Sequence, residues 1–310
     1  MDSERVPVGY REQYESGVLR RRVRRAYRIL ERCCLCPRRC GVNRLLGEEG
    51  FCRAGARPVV ASGQVHHGEE PPISGSRGSG TIFFSCCTLR CVFCQNFPIS
   101  HLRHGNCMSG PTLGRMMLRL QRQGCHNINL VTPTHFVPQI LAGLLYAARH
   151  GLHIPLVYNC SGYESMETLG LLDGIVDIYL PDLKYSASEP ARLYSHAADY
   201  FTAARRAIGE MYRQVGDLEL DDDGIARRGI LVRHLVLPNN LAGTREVLQF
   251  LMQELSPRIA VSLMSQYFPA YQAQRFAELN RRVTTTEYAA TLEAADRLGL
   301  AEGWRQDLPE

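Results

Sequence analysis

The sequence predicts an α/β protein whose core is a partial (β/α)6, TIM-like barrel, preceded by an N-terminal helical and Cys-rich extension. Three observations predict it. From Thr81 onward, short apolar runs alternate with amphipathic stretches, the pattern of parallel strands wrapped by helices. There are six such units, too few for a closed eight-stranded barrel. Most of the 12 cysteines fall in two groups, at 33–52 and 86–94, and the second group follows directly on the first strand of the alternating region. The expected organisation is therefore an extension over residues 1–80 and a core domain over 81–310.

Residues 11–32 read as one basic amphipathic helix, with Leu19, Val23, Tyr27 and Leu30 at helical spacing and arginines between them. Those arginines are expected to form a solvated outer face. Residues 53–80, rich in Gly, Pro, Ser and His, read as an irregular layer or short hairpins. The six units follow. "TIFFS" (81–85) precedes a helix near 111–123, and "INLVT" (128–132) one near 138–150. "IPLVYN" (154–159) precedes a helix near 165–172, and "VDIYLPDL" (176–183) helical material near 189–214. "ILVRHLVLP" (230–238) precedes a helix over 243–255, and "IAVSLM" (259–264) one near 284–298. "DLELDDDGIARRG" (217–229) reads as an inserted hairpin that turns at Asp-Gly.

A chain of 310 residues, 45% hydrophobic, is long enough to bury a sizeable core. Its start is polar and then Arg-rich, unlike a secretory signal, and its longest apolar stretch (140–158) is broken by Arg149, His150 and His153. No membrane association is expected, and a cytoplasmic location is the default expectation. The net charge of +5 is carried almost wholly by arginine, since Lys184 is the single lysine, and is expected to serve solubility. Twelve cysteines in a reducing compartment point to metal or redox chemistry, not disulfides. The isolated Cys107, Cys125 and Cys160 read as small hydrophobes in the core.

The stretch "FFSCCTLRCVFCQN" (83–96) places Cys87, Cys91 and Cys94 at the C-terminal end of the first core strand, where barrels of parallel strands gather their chemistry. A structural zinc takes four ligands, and so does an ordinary four-iron cluster. Here three thiols are well spaced. Cys86 adjoins Cys87, and in an extended segment it would point to the other face, so it is read as a bystander. Three thiolates on a four-iron cluster leave one iron open for a substrate. "CTLRCVFC", with Phe93 as the aromatic, resembles the Cys-x3-Cys-x-aromatic-Cys signature of radical S-adenosylmethionine enzymes. "GSGTIFFSCCTLRCVFCQN" is similar to the start of the pyruvate formate-lyase activating enzyme group, and "CLCPRRCGVNR" with "GEEGFCRAG" to a relative of that group with an added Cys region. The resemblance runs from about residue 30 to 300 and takes in "INLVTPTHF", "YNCSGY", "PDLKY", "RHLVLPNN" and "SLMSQYFP".

The resemblance implies the radical S-adenosylmethionine type of partial barrel. It implies a [4Fe-4S] cluster on Cys87, Cys91 and Cys94 that cleaves S-adenosyl-L-methionine to a 5′-deoxyadenosyl radical. It implies a one-electron donor of the flavodoxin or ferredoxin type and, more weakly, a protein substrate such as a glycyl-radical enzyme. The chain departs from the group in having Cys86 where Gly is usual and Thr88 where Asn is common. Where the wider family has a Gly-Gly-Glu segment, this chain reads "TPTH", leaving Thr132, Thr134 and His135 to offer polar groups. Asn159 and Ser161 end the third strand, with Asn159 where activating enzymes carry a carboxylate.

Asp182 and Lys184, two residues apart, share a strand face and suit the ribose hydroxyls and methionine carboxylate of the cofactor. In an Arg-rich chain the single lysine suggests a tight site that a planar guanidinium does not fit. Arg233 and His234 face opposite ways, so at most one enters the barrel. Gln266 ends the sixth strand. The candidate cofactor residues are thus Phe93, Thr134, Asn159, Ser161, Asp182, Lys184 and Gln266.

Cys33, Cys36, Cys40 and Cys52 form a second candidate site, with Cys34 in excess. Spacing leaves zinc and a second iron–sulfur cluster both open. Nearby arginines are expected to lower the thiol pKa values. Two further readings stand beside the enzyme that acts on a protein. One is radical modification of RNA, suggested by the basic N-terminal helix. The other is a non-catalytic zinc or iron–sulfur protein that binds nucleic acid.

Overall fold

The computed structural model describes residues 8–308. The chain opens with α1 (Gly9–Glu15) and α2 (Val18–Ile29), two helices where one was expected. Gly17 (φ 73°) turns the chain between them, in a left-handed conformation that costs glycine little. The Cys-rich loop leads to β1 (Val59–His66), the short α3 (Pro71–Ser74) and β2 (Ser79–Phe84). Then follow α4 (Phe97–Ser100), β3 (Asn106–Cys107), α5 (Gly110–Arg122), β4 (Ile128–Val131) and α6 (Val137–Arg149). Next come β5 (Leu156–Cys160), α7 (Met166–Leu172) and β6 (Ile178–Pro181). The expected helical material at 189–214 is split into α8 (Ser188–Ser195) and α9 (Tyr200–Val215), because His196 turns left-handed at φ 54°.

The hairpin forms as read, pairing β7 (Glu219–Leu220) with the start of β8 (Ala226–Leu235) around Gly224 (φ 74°). The chain closes with α10 (Thr244–Gln249), β9 (Ala260–Met264), α11 (Thr285–Arg297) and β10 (Gly303–Arg305). Among the described residues, no helix is long and apolar enough to cross a membrane.

The six expected strands lie side by side in the order β2-β4-β5-β6-β8-β9, all parallel, as right-handed β-α-β crossovers require. β1 adds antiparallel to β2, β3 to β1, and β10 parallel to β9. Among the described residues, strand pairing runs from β3 at one end of the sheet to β10 at the other.

Alternation along the strands assigns its faces. Tyr158, Tyr179, Val232 and Val261 are buried on the helix side. Val157, Ile178, Leu180, Leu231 and Ala260 line the inner side, where Ile73 of α3 packs on them. By the same alternation Asn129, Asn159, Asp182 and Arg233 project from the inner side, the last three toward the C-terminal ends.

The N-terminal helices do not present a wholly solvated basic face. Arg11 donates to the carbonyls of Ala148 (3.1 Å) and Leu152 (3.3 Å), and Arg22 to those of Leu171 (3.2 Å) and Asp173. Ala148 lies in the last turn of α6, Leu171 and the cap Asp173 end α7, and Leu152 is in the loop after α6, so the cations offset helix dipoles and satisfy orphan acceptors. Cys125 and Cys160 are buried as expected. Cys107 is not: it lies exposed on β3, an edge pair too short to bury a side chain.

Candidate metal and cofactor site at the strand ends

The loop after β2 is shaped by two left-handed residues, Cys86 (φ 73°) and Arg90 (φ 53°). It is held from outside: Val92 N–H donates to the Tyr194 carbonyl of α8, and Gln272 N–H to the Val92 carbonyl, both at 2.8 Å. Phe93 is buried edge-on against Tyr267, ring centroids 5.7 Å apart. Within this frame each of the three spaced sulfurs meets a polar group. Leu89 N–H donates to Cys87 Sγ (3.4 Å), Ser195 Oγ–H to Cys91 Sγ (2.9 Å), and Ser100 Oγ lies 3.1 Å from Cys94 Sγ. Hydrogen bonds to sulfur are what thiolate ligands accept.

Burial pushes the Cys91 thiol up to about 12 and the Cys94 thiol upward as well, with Lys184 working the other way on both. Such thiols ionise when a metal supplies the compensating charge. Among the described residues, no three His, Cys, Asp or Glu side chains converge as the ligands of one metal ion do. Three thiols, each met by a polar group at its sulfur, are a donor set that fits a four-iron cluster.

Cys86 is turned away, but not for the reason expected. Its backbone is left-handed, not extended, and its Sγ approaches the Arg53 carbonyl at 3.6 Å.

Facing the loop is a buried polar cluster. Lys184 Nζ donates to Asp182 Oδ2 at 2.5 Å. Arg233 Nε donates to Asp182 Oδ1 (2.9 Å) and its NH2 to Asn159 Oδ1 (2.7 Å). Glu69, from the segment before α3, closes the group: it accepts from Asn129 Nδ2 (3.0 Å) and Asn159 Nδ2 (3.4 Å) and pairs with Arg233 (3.4 Å). Burial raises Asp182, but Arg233 and Lys184 outweigh it and hold the carboxylate ionised. Burial lowers Lys184, but Asp182, with Cys91 behind it, holds the ammonium charged. One hydroxyl knots the strand ends together. Tyr200 Oη lies 2.8 Å from the Ser161 carbonyl and 2.9 Å from that of Asp182, and accepts the Lys184 N–H at 2.9 Å. Gly162 (φ 73°) permits the close approach, because a β-carbon there would stand 2.4 Å from the Asp182 carbonyl oxygen.

The structure thus brings Asn159, Asp182 and Lys184 together. Ser161 joins them through its carbonyl. Thr134 commits its hydroxyl to the buried Glu164 at 2.6 Å. Gln266 is exposed, and its carbonyl accepts from Gln95 Nε2 at 3.1 Å. His135 is buried, with Nε2–H donating to the Ser85 carbonyl (2.7 Å), and burial lowers its pKa to about 3. Of the pair on β8, Arg233 enters the inner side. His234 is buried on the other, bound to the Leu183 carbonyl (2.6 Å) and Thr244 Oγ1 (2.9 Å).

Sequence reasoning missed Glu69 and Asn129. Asn129 carried a usable signal, a polar residue at an inner position of β4, whereas nothing local marks Glu69.

In the N-terminal group the expected lowering of thiol pKa values does not occur. Burial raises Cys34, Cys36, Cys40 and Cys52, and the pull of Arg44 on Cys52 and of Arg39 on Cys34 is the smaller effect. Desolvation of a thiolate here exceeds the attraction of arginines that are themselves engaged elsewhere.

No family model matches the chain. Among solved structures it is similar to a radical SAM methyltransferase from Sphaerobacter thermophilus (TM-score 0.46, 13% identity, 73% of this chain and 65% of that one). It is also similar to SuiB of Streptococcus suis (TM-score 0.46, 12% identity, 71% and 47%). In both cases the chain spans less than two thirds of the neighbour's length. In sequence it is 32% identical over 298 residues to the uncharacterized protein MJ0674 of Methanocaldococcus jannaschii, covering 93% of this chain and 81% of that protein. With that identity over nearly its whole length, the chain belongs to the same protein family as MJ0674.

Proposed function

We propose that this chain is a radical S-adenosylmethionine enzyme of the pyruvate formate-lyase activating enzyme-like kind. Its Cys87, Cys91 and Cys94 hold a [4Fe-4S] cluster. When bound, that cluster supplies the single electron that cleaves S-adenosylmethionine to methionine and a 5′-deoxyadenosyl radical, which takes hydrogen from the substrate. One observation carries the reading. Three thiols, each met by a polar group at its sulfur, sit at the end of a parallel strand, and the buried Lys184 ammonium acts on both Cys91 and Asp182. A non-catalytic metal protein has no use for a charged lysine held at that point.

In this reading Lys184 attracts the carboxylate of the cofactor's methionine. Asp182 and Asn159 accept from and donate to its ribose hydroxyls, and Phe93 keeps the loop packed. Ser161 and Gln266 complete the strand-end rim, while Thr134, its hydroxyl held by Glu164, supports the segment behind it. Arg233 and Glu69 keep Asp182 and Asn159 in place. The electron donor is a protein of the flavodoxin or ferredoxin type, and the substrate is a protein of the glycyl-radical class.

The test is anaerobic. Protein reconstituted with iron and sulfide is reduced and given S-adenosylmethionine, and 5′-deoxyadenosine is sought by mass spectrometry. The C87A/C91A/C94A variant runs alongside. Product from the wild type alone supports the reading. A four-iron sample that yields no product and shows no spectral change with the cofactor overturns it.

A further inference from the structure

Cys33, Cys36, Cys40 and Cys52 are spread over residues 33–52, yet the fold gathers them. Cys33 N–H donates to the Val42 carbonyl, Gly41 N–H to the Cys33 carbonyl and Arg39 N–H to the Cys36 carbonyl, each at 3.0 Å, closing a compact knuckle. Cys40 Sγ comes back to within 4.0 Å of the Cys33 carbonyl. The turn before Cys52, closed by Arg53 N–H on the Gly50 carbonyl (2.9 Å), packs on the same sulfur. A β-carbon at Gly50 would stand 2.5 Å from Cys40 Sγ. The thiols sense one another: Cys52 and Cys33 both act on Cys36, and Cys33 and Cys40 on Cys52. All are free, with Cys33 and Cys36 buried and Cys40 at the surface.

The knuckle is seated against the back of the Cys87–Cys94 loop. Arg38, between Cys36 and Cys40, donates from Nε to the Thr88 carbonyl (2.7 Å) and from NH1 to the His196 carbonyl (2.7 Å). Its NH2 donates to the carbonyl of Ser195, whose hydroxyl meets Cys91. Its guanidinium covers the Phe51 ring at 3.6 Å. From the other side Cys86 turns toward this region, bonding to the Arg53 carbonyl, and Cys52 acts on it. The peptide between Cys86 and Cys87 therefore runs from one thiol group to the other.

Two kinds of centre take four thiolates. Through Arg38 the knuckle is joined to the Thr88 carbonyl and to Ser195, whose hydroxyl meets Cys91, so a centre on these thiols lies directly behind the first loop. An iron–sulfur cluster there can exchange electrons with one held by that loop, whereas zinc has no redox chemistry to offer. We propose that Cys33, Cys36, Cys40 and Cys52 bind a second iron–sulfur cluster, seated directly behind the Cys87–Cys94 loop, with Cys34 and Cys86 outside the ligand set. This assignment rests on a cluster at Cys87, Cys91 and Cys94, and the metal counts below separate its failure from that of the first site.

The test counts iron, acid-labile sulfide and zinc in protein purified without oxygen, and records electron paramagnetic resonance after reduction. About eight iron and eight sulfide per chain are expected in the wild type and about four in C87A/C91A/C94A. The signal that survives in that variant should not change with S-adenosylmethionine. C36A/C52A should retain about four iron and the responsive signal, and C34A should retain all eight. One zinc per chain, or about four iron in the wild type that all disappear in C87A/C91A/C94A, overturns the proposal. The wild-type count decides this even where a variant fails to fold. Iron that is unchanged in C87A/C91A/C94A instead overturns the first site and leaves the second standing.

Discussion

Glu69 and Arg233, 164 residues apart, meet inside the partial barrel with Arg233 NH1 3.4 Å from Glu69 Oε2. The carboxylate comes from the segment that carries α3 across the inner side, so the floor of the barrel and its charged rim are one construction. Both side chains are largely removed from water, at 8% and 17% exposure. Removing one member of a buried pair costs more than the pair contributes, because the other charge is left uncompensated. Arg233 keeps Asp182, which moderates the loss. Glu69→Gln should destabilise the protein by about 1–3 kcal/mol, and Glu69→Ala by more. Urea midpoints of the three proteins measure this. Equal midpoints would mean that Arg233 needs only Asp182.

Lys184→Arg keeps the charge and changes the shape. The ammonium is 16% exposed and fixed between Asp182 and the Cys91 side of the loop. A guanidinium is planar and larger, and it must displace one of them. The variant should bind iron as the wild type does and form 5′-deoxyadenosine at least about tenfold more slowly, a barrier increase of about 1.4 kcal/mol. A wild-type rate would reduce Lys184 to a structural ion pair.

Arg38 should act on the loop without touching a sulfur. Its bonds to the carbonyls of Thr88, Ser195 and His196 fix the loop from behind. Each hydrogen bond to a charged group contributes about 1.5–3 kcal/mol. Arg38→Ala should raise amide hydrogen exchange across residues 88–94 more than in the distant strand β9. Equal protection in both proteins would show that α8 and Gln272 hold the loop alone.

The strands and most helices were legible because each is long, apolar and periodic, and the parallel order follows from their alternation with helices. The breaks were not. Gly17 and His196 interrupt patterns whose periodicity continues across them, and only the left-handed backbone reveals the turn. Asp182, Lys184 and Asn159 were legible as polar residues at strand ends. Glu69 was not, because its role depends on a long-range path that brings residues 67–74 across the sheet's inner side. The Cys86 reading assumed an extended backbone, whereas the residue is left-handed, which no local sequence signal marks. The arginines near the N-terminal thiols misled for a general reason: sequence proximity gives the sign of a charge effect, and burial decides whether it prevails.

Glu164 gives the clearest pH dependence. It is fully buried on the helix side, accepting from Thr134 Oγ1 (2.6 Å) and Tyr158 Oη (3.0 Å). Burial raises its carboxyl to about 8, and the two hydroxyls offset only part of that rise. An unfolded chain releases this proton near 4.5, whereas the folded protein keeps it to about 8. Between those values the native state binds the extra proton, so stability falls as pH rises through the window and is level on either side. The full effect is at most about 5 kcal/mol, at 1.36 kcal/mol for each pKa unit. Glu164→Gln keeps the shape and removes the titration. Urea midpoints of wild type and variant at pH 5.5 and 8 should converge at the lower pH and separate at the higher, with the variant the more stable. Midpoints that stay parallel would show that Glu164 is ionised in the folded protein, its charge held by groups other than the two hydroxyls.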